Sequence, residues 1–537
     1  MATYNLQDEA WIPVLWKDGT AKSVSLKTAL LEAHNIREVY ADTPVETAAL
    51  NRLLLALYLR IFPDQEELEN WAEQLEAGAF EPEPIEAYLA QWYHRFDLFH
   101  EERPFYQTPR PLKSDKGEDF VNPIEKLFTE EASNNNPVFY SHTSEMQKRL
   151  IPLDKAARGT VTTQAYAIGG GVAKPFNFAN APMVGTAMFW VRGQNLFEML
   201  LKNAPPTENC WHIVSASYEE DLPAWEADLP RWENRIVKGY LDYLTWQSRA
   251  IKLVTQIHQE QVFAAAVVMH QGDKLGNGIT DDPLLAYKVN KEGKFYALSF
   301  SPDKALWRDA TTFLNIATTA SSRSAFPHVF DALSTLERGN TAFKWETDVL
   351  GMSNDQGTVN FYRQERMPIY QCFLENGSQS GKLSEMIEWA DKQKENLRWA
   401  TKTMCEWVLA TPKEDESVPK ADAGAVSKLI EHFQTIPRYW AALEVPFYEA
   451  MAKLAEAKDT PAQQQVLEEW GDTIYNVASA IFSMATEGFE ASGRNLRAVA
   501  EGEQKLMGVK QLRTNEITKT QKPKKANKNQ ISNLFEV

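Results

Sequence analysis

Cysteine is scarce: the 537-residue chain holds three, Cys210, Cys372 and Cys405, far apart and with no C-x-x-C pair. That argues against a disulfide framework or a cysteine-based zinc site, and the three read as buried small apolar side chains in a reducing compartment. Long apolar runs are missing as well. Leu53–Leu59 and Phe263–Met269 are the longest, far short of the roughly 20 residues that span a bilayer. The start, Met1-Ala2-Thr3-Tyr4-Asn5, has neither the basic nor the apolar part of a secretory leader. The expectation is a soluble cytoplasmic protein away from membranes. A general excess of positive charge is also lacking. The net charge is −17, which excludes coating DNA through an overall basic field.

What is present is ordinary globular composition, 44% hydrophobic and 24% charged, with 16 Trp and 27 Pro. At roughly 150 residues per domain, two to four folding units are expected. Charge is uneven: from Lys505 onward eight basic residues face two acidic ones, leaving the preceding body at −23. Nucleic-acid contact by that body would have to use local patches.

Along the chain, Trp11–Val14 reads as a strand before a Gly19 turn. Pro44-Val45-Glu46 opens a helix whose Leu50, Leu53, Leu54, Leu57 and Ile61 recur at helical spacing. Helices are also expected around 66–77 and 85–96. Between about Pro104 and Lys174 the periodicity fades, and this stretch reads as irregular. Strand signals return at Ala187–Val191 and in a hairpin spanning 284–298 that turns at Lys291-Glu292-Gly293. From about Leu383 the sequence is strongly helical. Four helices near 383–410, 421–456, 463–485 and 488–507 predict a bundle. The expected class is α+β, with a mixed N-terminal domain over 1–380, a four-helix bundle over 381–507 and a basic tail over 508–537.

Three local features stand out. Gly169-Gly170-Gly171 removes every Cβ, exposes consecutive N–H groups and permits positive φ, so it could cradle a phosphate or press into a groove. It is no P-loop, because Gly-Lys-Ser/Thr is absent; alone it reads as a flexible turn. Asn354-Asp355-Gln356-Gly357 has turn composition, and its amides could occupy the space of an unpaired base. Lys288, Lys291 and Lys294 gather near the tip of the 284–298 hairpin, where lysine also serves to guard a strand edge. No catalytic constellation emerges: the nine histidines form no H-E-x-x-H, and there is no G-x-S-x-G.

In their order along the chain, the motifs resemble the CasA-type large subunit of the type I-E CRISPR surveillance complex, Cascade. The resemblance runs from Asn5-Leu6-x-x-Glu9-x-Trp11-Ile12-Pro13-Val14 through Arg103-Pro104-Phe105-Tyr106-Gln107-Thr108 and Pro123-Ile124-Glu125-Lys126-Leu127. It continues over the glycines, Val184-Gly185-Thr186, Val191-Arg192-Gly193 and the Asn354–Gly357 turn with Tyr362-Arg363-x-Glu365-Arg366. It ends at Tyr439-Trp440-x-x-Leu443-Glu444-x-Pro446-Phe447. The resemblance implies a subunit without enzymatic activity or cofactor that reads a protospacer-adjacent motif from the minor groove of double-stranded DNA. Gly169, Gly170 and Gly171 would lie in that groove. Gln356, between Asp355 and Gly357, would be the wedge that parts the strands. Lys291, with Lys288 and Lys294 as alternatives, would be a lysine finger. Asn134, Asn135, Asn136 and Phe139 would meet the guide RNA and neighbouring Cascade subunits, and a helicase-nuclease would be recruited. Some relatives carry a cysteine-rich metal-binding insertion; the lack of such cysteines here implies no zinc. The rival readings are a nucleotide-binding enzyme built on the triple glycine and a purely structural helical adaptor.

Overall fold

A computed structural model describes residues 3–63, 68–109, 121–131, 149–170, 178–204, 217–228, 232–276, 282–290, 292–302, 304–314, 324–336, 343–355, 357–375, 377–410, 421–488 and 492–506. The chain divides into two compact units, Met1–Glu375 and Asn376–Val537.

The first unit is organised around helix Pro44–Ile61. Thr43 caps it, its hydroxyl accepting from the Glu46 N–H at 3.2 Å, with proline at the first helical position where no N–H is needed. Leu50, Leu53, Leu54 and Leu57 are buried as their spacing predicts, and so are Arg52, Leu55 and Tyr58 on the other faces. A helix buried all round is wrapped on every side. It packs on helix Leu153–Tyr166, on helix Tyr240–Leu244 and on strand Lys344–Asp355.

Two long antiparallel hairpins flank this helix pair, the first packing on Pro44–Ile61 and the second on Leu153–Tyr166. One pairs Lys344–Asp355 with Thr358–Tyr370 and turns at the expected Asn354–Gly357 position, with a bulge between Ser353 and Asn354. Strand Ala187–Val191 joins its other edge, Gly351 facing Ala187. The second pairs Arg249–His258 with Gln261–Gln271, with Val121–Pro123 added alongside. Smaller sheets are built from strands 12–16, 21–24 and 36–39 and from the expected hairpin Tyr287–Val289/Phe295–Ala297 with Ser324–Ala325.

The stretch expected to be irregular contains the 14-residue helix Leu153–Tyr166. Its sequence hides it. Glycine and three threonines replace the usual apolar stripe, and Thr160 and Thr162 donate back to the carbonyls of Ala156 and Arg158. Gly159 is required because a Cβ there would sit 2.7 Å from the Phe128 ring.

The second unit is helical: Ser378–Leu409, Ala423–Phe433, Thr435–Glu456, Thr460–Thr486 and Gly493–Glu503. The helix expected over 421–456 is broken in two at Gln434, whose φ is +51°. Helix Ser378–Leu409 touches all four others. It offers its carbonyls to buried polar groups of its neighbours: Met386 O accepts from Trp470 Nε1 at 2.9 Å and Ala390 O from the Tyr439 hydroxyl at 3.0 Å. Cys372 in the first unit and Cys405 in the second are buried thiols; Cys210 lies outside the described residues. Among the described residues no helix is long and apolar enough to cross a membrane.

Candidate nucleic-acid interface

The glycine segment leaves the C-terminus of helix Leu153–Tyr166 and runs against residues 178–183. Met183 N–H donates to Ala165 O and Ala181 N–H to Ala167 O, both at 2.9 Å. Gly169 N–H is taken by Asn180 Oδ1 at 2.7 Å and Gly170 N–H by Phe178 O at 3.1 Å. The expectation that these amides stand free is therefore corrected for the first two glycines: the chain turns its own carbonyl and amide oxygens onto them. What the missing side chains provide is proximity. A Cβ on Gly169 would lie 2.6 Å from the Ala179 carbonyl carbon and the Asn180 nitrogen.

The far end of the hairpin Lys344–Tyr370 meets this segment. Gly357 has φ +83°, and a Cβ on it would be 3.4 Å from Gly169 O; one on Gly170, at φ +126°, would be 3.7 Å from Gly357 Cα. A third glycine completes the junction. Gly185, at φ +73°, lies where a Cβ would be 3.1 Å from Asn354 Oδ1. Two stretches separated by almost 190 positions in sequence are thus joined backbone to backbone, with Gly170 and Asp355 exposed.

Beneath the segment lies Arg249, fully buried. Its guanidinium donates to Ala167 O (3.1 Å), Ile168 O (3.2 Å), Ala179 O (2.8 Å) and Ser248 O (3.0 Å), and stacks over the Phe178 ring. Gln271 braces the same strand, accepting from Ala179 N–H at 2.7 Å. Burial pushes Arg249 down to about 9, so it remains charged at neutral pH. Lys126 sits over Phe178 as well; burial and the neighbouring Arg249 charge lower its pKa. Among the described residues neither cation has a carboxylate within ion-pairing distance, so positive potential is left under an exposed edge of backbone.

The family of CRISPR-associated protein Cse1 matches residues 5–481. The chain belongs to that family. The CasA/Cse1 protein of Thermus thermophilus is 29% identical over 526 residues, 94% of this chain and 96% of that protein. The fold agrees with solved Cse1 structures. That of Acidimicrobium ferrooxidans superposes with a TM-score of 0.77 at 22% identity, covering 97% of this chain and 99% of the other. Thermus thermophilus CasA gives 0.76 at 24%, covering 94% and 98%. A chain of a CRISPR RNA-guided surveillance complex gives 0.72 at 19%, covering 94% and 100%.

Of the site residues expected in this Cse1-family chain, Gly169, Gly170, Asp355 and Gly357 come together. Gly171, Gln356, Lys291, Asn134, Asn135, Asn136 and Phe139 lie outside the described residues. Lys288 is engaged with Asp309 at 2.6 Å, an acid that also holds Lys304. Lys294 is exposed and 3.4 Å from Glu292. Their hairpin is anchored to the strand flanking the long hairpin, through Ala187 N–H to Leu298 O and Phe189 N–H to Leu284 O, both 2.8 Å. Sequence reading missed Arg249, Asn180 and Gln271, which carry no motif; only their contacts across the fold reveal them.

Proposed function

We propose that this chain is the large subunit of a type I-E RNA-guided surveillance complex in the cytoplasm, reading the protospacer-adjacent motif of double-stranded DNA and starting strand separation. The observation that carries this is the backbone contact between Gly169–Gly170 and Gly357. It forms a side-chain-free ridge next to a hairpin tip that bears Gln356. A ridge without Cβ atoms approaches base edges closely, and the minor groove, which separates A·T from G·C only coarsely, suits such a reader. Gln356 follows exposed Asp355 in this tip and is the proposed wedge; unstacking costs a few kcal/mol, offset as guide pairing begins. Lys291 is the first choice for the finger, since Lys288 is bound to Asp309 and Lys294 faces Glu292. Asn134–Asn136 and Phe139 are assigned to guide RNA and neighbouring subunits, and a helicase-nuclease is the downstream partner. The phosphate-cradle enzyme is disfavoured because Asn180 and Phe178 already occupy the amides of Gly169 and Gly170.

The test is binding of the assembled complex to target duplexes carrying a randomised motif. Gln356→Ala and Lys291→Ala are expected to weaken binding to the preferred motif by about tenfold or more, the loss expected from one base-edge contact or one stacking group. Affinities equal to wild type in both variants, or unchanged when this subunit is omitted, overturn the reading.

A further inference from the structure

The short 3-10 helix Ile124–Leu127 carries one cation beside the glycine segment. Ile124 and Leu127 anchor it in a buried cluster with Phe128, Ile151 and Leu253, so Lys126 is presented from a rigid base and stays half-buried. The neighbouring acid, Glu125, is itself buried and lies 3.8 Å from Arg149. Lys126 has three N–H donors. One goes to Asn122 Oδ1 at 3.0 Å, and among the described residues no carboxylate takes the others. Its ammonium stands 5.5 Å from the centroid of the Phe178 ring, and the Arg249 guanidinium stands 5.0 Å from the same centroid. Two cations on one ring with no acid between them is a costly arrangement, since charges removed from water are normally paired. The Lys126 pKa is lowered first by burial and then by Arg249. An anion arriving from outside relieves both penalties.

Phe178 links this pair to the ridge. Its carbonyl accepts from Gly170 N–H at 3.1 Å, so Lys126 is one residue removed from the exposed backbone. An ammonium on a flexible stem is a compact point charge, suited to a phosphate oxygen rather than to a planar base edge. A free phosphate or nucleotide would also call on the loop amides, and those of Gly169 and Gly170 are already taken by Asn180 and Phe178. A phosphodiester within a duplex needs no such cradle. The minor groove is only about 6 Å wide and is bordered by both phosphate backbones. A backbone ridge lying in it has phosphates on each side, and a lysine next to the ridge meets one of them.

We propose that Lys126 binds one backbone phosphate of the duplex beside the motif and so sets the register of the DNA on the glycine ridge without reading its sequence. The proposal rests on the motif-reading role of that ridge. It is tested with the assembled complex, by measuring affinity for a target duplex across a salt series. Each lost phosphate contact reduces the slope of log K against log salt by about 0.9. Lys126→Gln, which keeps the stem and a polar end, is expected to show that reduction, with affinity about eightfold lower at 0.1 M salt and the deficit closing towards 1 M. Relative preference among motifs is expected to stay as in wild type, because phosphate contacts carry no sequence information. Lys126→Arg retains the charge and is expected to keep the wild-type slope. A duplex with one neutral methylphosphonate at the contacted position is expected to weaken the wild-type complex and leave the Lys126→Gln complex unaffected. A wild-type slope in Lys126→Gln overturns the proposal, as does a loss shared equally by Lys126→Arg, which marks a structural role. Either result, with Gln356→Ala still weakening binding, leaves the reading of the ridge standing; affinity unchanged when the subunit is omitted removes both.

Discussion

At the scale of single residues, Arg249 decides more than any glycine. Four backbone carbonyls depend on its guanidinium, and three of them belong to the two strands of the glycine segment. Arg249→Met keeps the stem and deletes the donors. It is expected to lower the unfolding free energy by about 2–4 kcal/mol, since charge-assisted hydrogen bonds to buried carbonyls are lost, read by urea denaturation. In the assembled complex it is also expected to flatten discrimination among motifs, whereas Arg249→Lys, which retains charge but not the fork, restores only part of either. The Arg103–Thr108 motif acquires a structural reason at the same scale. Gln107 donates to Leu98 O and accepts from Leu253 N–H, both at 2.9 Å, and Thr108 N–H reaches Ile251 O at 2.9 Å. The segment is thereby tied to the edge of strand Arg249–His258 at Ile251 and Leu253.

At the scale of elements, what the sequence made legible was what local chemistry dictates. The proline opening and apolar spacing of Pro44–Ile61, the Lys291-Glu292-Gly293 hairpin and the Asn354–Gly357 turn were readable because neighbours in sequence decide them. Helix Leu153–Tyr166 was not, because its burial depends on Phe128 and on Leu127 O, which accepts from Thr163 at 3.1 Å. Gly159→Ala tests that dependence. Helix propensity alone favours alanine by about 1 kcal/mol, but the Cβ meets Phe128 at 2.7 Å, so net destabilisation of about 1–3 kcal/mol is expected from overpacking. The break at Gln434 was equally invisible: a glutamine carries no signal for a left-handed residue, and its side chain there donates to Glu431 O. Gln434→Gly removes the Cβ penalty of that conformation and is expected to raise stability by up to about 1 kcal/mol. A fall in melting temperature would show that the Glu431 contact outweighs it.

At the scale of the whole molecule, the two units carry natural reporters. Burial pushes the thiols of Cys372 and Cys405 up to about 12. At pH 8 neither provides a useful thiolate fraction, and alkylation, which needs the thiolate, is blocked until the surrounding unit opens. Iodoacetamide at pH 8 is expected to leave both unmodified in the native chain. Peptide mass spectrometry across a urea series then reads Cys372 as the opening of the first unit and Cys405 as that of the second. Coincident labelling means one cooperative transition; labelling of Cys405 at lower urea means the helical unit opens alone. The ridge was the least legible feature, because glycines almost 190 positions apart touch only through the folded sheets.

The junction of Gly169, Gly170 and Gly357 has a consequence for how such a subunit changes its preferences. Main chain is the same in every variant, so the ridge itself cannot be retuned by exchanging one functional group for another. Adaptation to a new motif must instead proceed through flanking positions such as Asn180, Asn354 and Asp355, which tilt or decorate an invariant rail.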